Sequence, residues 1–177
     1  NNTYSYLPSR NENTFADRVA LNVLNSIDPN FKKYTWLDRG SDERQFCAPG
    51  IDLPVVTLSR SKFGEYPEYH TSLDNLDFIS KKGLESSFEF LKKIVDTIEI
   101  NTFPKNVFLC EPHLSSKNMY PHLSIKDNFD KTKKIMNIIT YCDGYHDLVD
   151  ISNKINLPVS ELLNFIKILK NKKIIKL

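Results

Sequence analysis

A chain of 177 residues holds one core, or a core with a small appended domain. Apolar residues at 40% and charged residues at 26% are the balance of an ordinary globular protein, and no apolar run approaches the ~18 residues of a membrane span. The net charge of +2 is too small to argue for a polyanionic partner, and three widely spaced cysteines without a C-x-x-C pair point to a reducing cytoplasm rather than a disulfide or zinc-knuckle framework.

The chain opens on Asn1-Asn2-Thr3-Tyr4 with neither an initiator methionine nor a signal-peptide pattern, and so reads as the interior of a longer chain. Residues 13–27 carry Phe15, Val19, Val23, Leu24 and Ile27 at helical spacing, with Asn13 or Thr14 as the cap and Asp28-Pro29 as the stop. Residues 34–37 form an aromatic strand candidate. Residues 53–58 form a second, nearly all-apolar one, of the type buried on both faces of a parallel sheet. Residues 59–79, rich in Gly, Pro, Tyr and Asp, make a long ordered loop, a feature that is usually functional.

Helical spacing returns at residues 81–100 through Leu84, Phe88, Leu91, Ile94, Val95 and Ile98, with Ser80 as cap and a face suited to cover the sheet. Residues 104–126 contain three prolines and read as a linker packed on the first unit. Beyond residue 127, three helices are expected: one around Ile135 to Ile139, one over residues 148–155 and one over residues 159–169. A terminal strand at residues 174–177 completes a winged-helix-like unit. The resulting division is 1–103, 104–126 and 127–177.

Chemistry concentrates in Gly40-Ser41-Asp42-Glu43-Arg44-Gln45-Phe46-Cys47 and in Tyr66-Pro67-Glu68-Tyr69-His70-Thr71-Ser72-Leu73-Asp74. His70 supplies a neutral imidazole of the kind that ligates zinc, and Asp74 is spaced to orient its ring. Asp42 is either an active-site acid or the N-cap of a short helix. Tyr66 and Tyr69, with Phe63, give the loop an aromatic lining that shapes a substrate pocket. Arg44 and Arg60, with Arg39, suit bidentate binding of a substrate carboxylate. Cys47 reads as a small buried residue rather than a thiol nucleophile paired with His70. His113, His122 and His146 have no ligand spacing and read as turn or surface residues.

The runs from Tyr4 to Arg10, Arg39 to Phe46, Arg60 to Ser72 and Cys110-Glu111-Pro112 resemble bacterial aminopeptidase-like proteins with a C-terminal winged helix, often associated with surface-polysaccharide gene clusters. The resemblance spans essentially the whole chain. It implies an α/β fold: part of a three-layer α/β/α zinc-exopeptidase-like domain followed by a small winged-helix domain. It implies zinc, with His70 as ligand, and a peptide or small amide substrate. The family's remaining ligands, a histidine motif, an acidic motif that includes the general base, and an aspartate, belong to segments preceding residue 1. The expectation is therefore the C-terminal portion of an amide hydrolase that by itself lacks catalysis and binds zinc weakly. At Glu43 the sequence departs from the broader zinc-aminopeptidase pattern, where an Asp-His pair is usual.

Residues 126–177 hold ten lysines against six acids, leaving the remainder slightly acidic. The alternative function is a non-catalytic binding module with Ser160, Asn164 and Lys167 facing nucleic acid. Four of these lysines cluster at Lys167, Lys170, Lys172 and Lys173, where they complement the dipole of the last helix. With no sequence left for a hairpin wing after the final strand, docking onto the peptidase domain, a partner protein or another subunit is the favoured role of this unit.

Overall fold

The computed structural model describes residues 3–114 and 126–177, with side chains described beyond residue 129 in the latter segment. The chain divides into two units, Asn1–Glu99 and Ile100–Leu177.

The first unit is built around β1 (Ser5–Leu7), every residue of which is buried. It pairs in parallel with β2 (Lys32–Lys33), Ser5 opposite Lys32, and antiparallel with β3 (Thr57–Ser59), Ser5 opposite Ser59 and Leu7 opposite Thr57. Tyr4 and Tyr6 pack with Ala20, Val23 and Leu24 of α1 (Phe15–Ile27), with Phe31, and with Phe90 of α3 (Lys81–Ile100). The Tyr4 and Phe90 rings lie 5.0 Å apart, tilted, in the geometry aromatic pairs prefer.

Helix α1 starts where the sequence places it. Thr14 caps it in a reciprocal box with Asp17: the Thr14 hydroxyl accepts from the Asp17 N–H, and the Asp17 carboxylate accepts from the Thr14 N–H. Asp17 is only 1% exposed because it also accepts from the Tyr6 hydroxyl at 2.6 Å and the Ser9 N–H at 2.9 Å, joining the helix start to β1. Burial pushes its carboxyl pKa up, but the bonds from Ser9, Thr14 and Tyr6 outweigh that and hold it below the ordinary range.

Two strand expectations need correction. The expected strand at residues 34–37 gives way to a 3-10 turn at Trp36–Asp38, with β2 earlier, at Lys32–Lys33. Asp38 accepts from both the N–H and the hydroxyl of Thr35 at 2.9 Å, and this local capping overrides the aromatic preference for strand. The apolar run at residues 53–58 is not a parallel strand buried on both faces. Only its end enters β3, which is antiparallel and half-buried; Pro54 has no N–H to give, and the Leu53 N–H donates to the Phe46 carbonyl at 2.8 Å.

The second unit is a winged helix. Helices α4 (Lys126–Tyr141), α5 (Leu148–Ile155) and α6 (Val159–Asn171) enclose Ile138, Ile139, Leu148, Ile151, Leu162, Phe165 and Leu169. Asp147 caps α5 by accepting from the Asp150 N–H at 2.7 Å. The helix ends on Asn156 in the left-handed conformation, φ 51° and ψ 50°. The turn between α5 and α6 is closed by the buried Ser152 hydroxyl, which donates to the Leu157 carbonyl.

The final strand, β5 (Ile175–Lys176), has a partner that sequence reasoning did not give it. It pairs antiparallel with β4 (Lys105–Asn106), from the segment read as linker, and Lys105 also bridges to Asp143. The Asn106 N–H donates to the Cys142 carbonyl at 2.7 Å and the Val107 N–H to Ile174 at 2.9 Å. A strand preceding the helices thus gives β5 the pairing partner that a terminal hairpin would have given it. The rest of the expected linker, residues 115–125, lies outside the described residues.

Candidate active site

In the loop after the 3-10 turn, the ordered acid is Glu43 rather than Asp42. Glu43 is 2% exposed and opens the short helix α2 (Glu43–Phe46). Its carboxylate accepts from the N–H groups of Gly40 (2.6 Å) and Ser41 (2.9 Å), with the Thr57 hydroxyl at 3.4 Å. Burial raises its pKa, but the Ser41 and Gly40 amides more than offset that and keep it below the usual carboxylate range. Glu43 therefore fastens the loop to β3 as an ionised, fully engaged group.

Asp42 is exposed, has helical backbone angles and makes no side-chain cap bond, so the expected capping role is not formed. Gly40 lies against the long loop so closely that a Cβ there would stand 2.6 Å from the Phe63 ring. Cys47 is fully buried, and its thiol donates to the Leu53 carbonyl at 3.1 Å, the structural role the sequence suggests.

Residues 60–80 form a run of turns between β3 and α3 that is ordered by stacked rings. Phe63 lies 6.3 Å from Tyr69; Tyr69 meets Tyr66 edge-on at 5.7 Å; Tyr66 stacks on Phe78 at 5.2 Å. At the other side of Tyr69, His70 stacks on its ring at 4.0 Å. Its imidazole is exposed, and its backbone sits at φ 59°, a left-handed conformation uncommon outside glycine that is concentrated at functional sites. Asp74 is exposed and, among the described residues, makes no hydrogen bond to His70. The Tyr66 hydroxyl is pushed up by burial and then by the charge of Asp74.

The aromatic series ends at a cavity of about 190 Å³. Its walls are Arg60, the Phe78-Ile79-Ser80 turn, and Gly83, Leu84 and Ser87 from the first turns of α3. The Arg60 guanidinium lies 4.1 Å above the Tyr4 ring. The other arginines named from sequence are engaged locally: Arg44 Nε donates to the Ser41 carbonyl, and Arg39 lies over Trp36 and donates to its carbonyl.

Sequence reasoning thus picked out Arg60, Tyr66, Tyr69 and His70, which the structure strings along one loop. It did not pick out Phe78, Ser80 and Ser87, which complete the cavity; the Ser80 cap was the available signal, because a capped helix start places its first turns beside the preceding loop. It likewise missed the structural weight of Glu43.

A zinc site needs several neutral imidazole, thiolate or carboxylate donors converging on one point. Among the described residues no three such groups do so, and His70 brings a single exposed imidazole. These residues do not fit a self-sufficient zinc site. His146 is held by Asp143 at 2.8 Å and lies edge-on to Tyr141 at 5.6 Å, while His122 lies outside the described residues. Burial raises the Asp143 carboxyl, but the His146 and Tyr145 amides and the His146 ring outweigh it and bring the pKa down to about 2.

On α6, Ser160, Asn164 and Lys167 are all exposed. They share one face of the helix by their spacing. No helix of the described residues is long and apolar enough to cross a membrane.

Comparison with known proteins agrees with this two-part reading. Residues 1–101 match the family described as "Domain of unknown function (DUF4910)", and residues 102–177 match a winged helix-turn-helix family. A Clostridium acetobutylicum protein, "Putative polysaccharide biosynthesis protein with aminopeptidase-like domain", is 34% identical over 144 residues, 78% of this chain and 32% of its own length. A crystal structure of a "putative peptidase" from Clostridium acetobutylicum superposes with a TM-score of 0.84 at 28% identity, over 99% of this chain and 39% of that one. The chain spans 32% to 39% of the length of these relatives. It belongs to the DUF4910 family, joined to a winged helix-turn-helix, within the aminopeptidase-like proteins of this kind.

Proposed function

We propose that this chain is the substrate-binding part of an aminopeptidase-like zinc hydrolase that cleaves an amide bond in polysaccharide biosynthesis. The observation that carries this reading is the continuous series of rings from the Arg60 cavity through Phe78, Tyr66 and Tyr69 to the exposed, positive-φ His70. A cavity, an aromatic wall and an accessible imidazole in sequence are what binding and presenting a small amide requires. The names of the Clostridium acetobutylicum relatives, an aminopeptidase-like polysaccharide biosynthesis protein and a "putative peptidase", support this reading.

In this reading His70 gives one ligand to the metal. Asp74 orients the His70 loop, Asp42 serves as an active-site acid, and Arg44, Arg60, Tyr66 and Tyr69 bind substrate. The other ligands and the general base are supplied by sequence beyond these residues. A zinc ion held by His70 together with ligands from outside these residues would supply Lewis acidity toward an amide carbonyl and toward water.

In a protein of the relatives' full length, His70→Ala should lower bound zinc and reduce kcat/KM for amide hydrolysis by at least about 100-fold, the scale on which loss of an essential group is felt. The 177-residue chain alone should retain no stoichiometric zinc after gel filtration. Unchanged metal content and activity in His70→Ala, or one tightly held zinc in the isolated chain, would overturn the reading.

A further inference from the structure

We propose that the cavity beside α3 is a carboxylate pocket, in which Arg60 takes the acid end of a small ligand with an apolar body. Arg60 follows β3 directly and is half-buried. Its Nε is sealed from solvent without a hydrogen-bond partner, and among the described residues no carboxylate or carbonyl meets the guanidinium. Arg10, by contrast, is paired with Asp52 at 2.7 Å. A partly desolvated guanidinium is costly unless an acceptor answers its fork of donors, and the Tyr4 face beneath it offsets only the charge.

The rest of the wall says which anion. Among the described residues no acidic side chain lines the cavity, so none of them repels a negative charge there. Phe78, Ile79 and Leu84 make it apolar, which suits a monoanion carrying a hydrocarbon group better than a phosphate. Ser87 is committed, donating to the Gly83 carbonyl at 2.8 Å. Ser80 accepts from the Gly83 N–H at 3.1 Å, which fixes its position and leaves its hydroxyl hydrogen to donate to a carboxylate oxygen. A volume of about 190 Å³ accommodates a molecule the size of an amino acid derivative.

Identifying the ligand as the substrate rests on the hydrolase reading above. The pocket itself does not.

The test uses N-acetyl-leucine and its neutral N-methylamide as probes, with binding to the 177-residue chain followed by calorimetry. The acid should bind at least about tenfold more tightly than the amide, the factor that one charge-assisted hydrogen bond implies. Arg60→Met should remove that preference, and Arg60→Lys should keep only part of it because the fork is lost. Ser87→Leu, which fills the cavity and leaves Arg60 in place, should weaken the acid as well; this covers the case in which Arg60→Met disturbs the stacking on Tyr4.

Equal binding of acid and amide, no binding of the acid at millimolar concentration, or full acid binding in Ser87→Leu would overturn the pocket. In a protein of the relatives' full length the two readings separate. Acid binding that depends on Arg60, with hydrolysis indifferent to His70, leaves the pocket standing and removes the hydrolase. Hydrolysis that needs His70 but does not distinguish acid-terminated from amide-terminated substrates removes the pocket and leaves the hydrolase.

Discussion

Helices α3 and α6 carry the same kind of amphipathic pattern and meet different fates. Helix α6 buries Val159, Leu162, Phe165, Ile166 and Leu169 in the second unit's core. Helix α3 buries Phe90 and Thr97, while Leu84, Phe88, Leu91, Val95 and Ile98, spaced four and three apart, remain exposed. Of the residues expected to cover the sheet, only Ile94 packs on the first unit's core, beside Phe90, which the expected face did not include. Periodicity identifies which side of a helix is apolar; it does not say whether these 177 residues contain what covers it.

The sharpest way to break this contrast is a matched pair of truncations. Leu162→Ala should destabilise the second unit by about 2–5 kcal/mol, the cost of a buried leucine with its cavity, whereas Leu91→Ala should stay within about 0.5 kcal/mol, as at an exposed position. Urea unfolding of each variant reads both. Equal losses would mean that the α3 stripe is already covered in solution.

A smaller effect probes what holds the first unit in the absence of a larger core. Asp17→Ala should cost about 3 kcal/mol, because the Tyr6 hydroxyl and the Ser9 and Thr14 donors lose a buried charged acceptor. The same group gives an acid dependence. Its folded pKa lies below the unfolded value near ~3.9, so its contribution is complete above that value and disappears as pH falls through the folded one. Stability measured against pH should show this decline in the parent chain and a flatter profile in Asp17→Ala.

The smallest effect tests a turn in the second unit. Asn156→Val forces a β-branched residue to φ 51° and should cost about 1–2 kcal/mol, while Asn156→Gly should be near neutral by thermal unfolding. Similar melting for both would remove the left-handed cap as a determinant of the α5–α6 turn.

Much of the architecture was legible because it rests on local chemistry. Thr14 and Asp17 announce the start of α1, Ser80 that of α3, and Asp147 and Asn156 bracket α5. The strands were poorly legible. β1 has three residues and β2, β4 and β5 two each, too short for alternation to register, and their pairing depends on partners far away in sequence. Of the candidate site, His70, Tyr66, Tyr69 and Arg60 stood out by residue type, whereas their order along the loop and the cavity behind Arg60 depend on how rings stack.

The sequence by itself determined the helices, the caps, the change of character between the two units and the residues able to carry chemistry, because each follows from spacing or side-chain type over a few positions. Only the tertiary structure decided that Glu43 rather than Asp42 is the buried acid, that β4 completes the winged helix, and that Arg60 meets no carbonyl or carboxylate among the described residues. Those outcomes depend on which backbone groups and rings meet after long stretches of chain, and burial then fixes which charges must be answered and which remain available to a ligand.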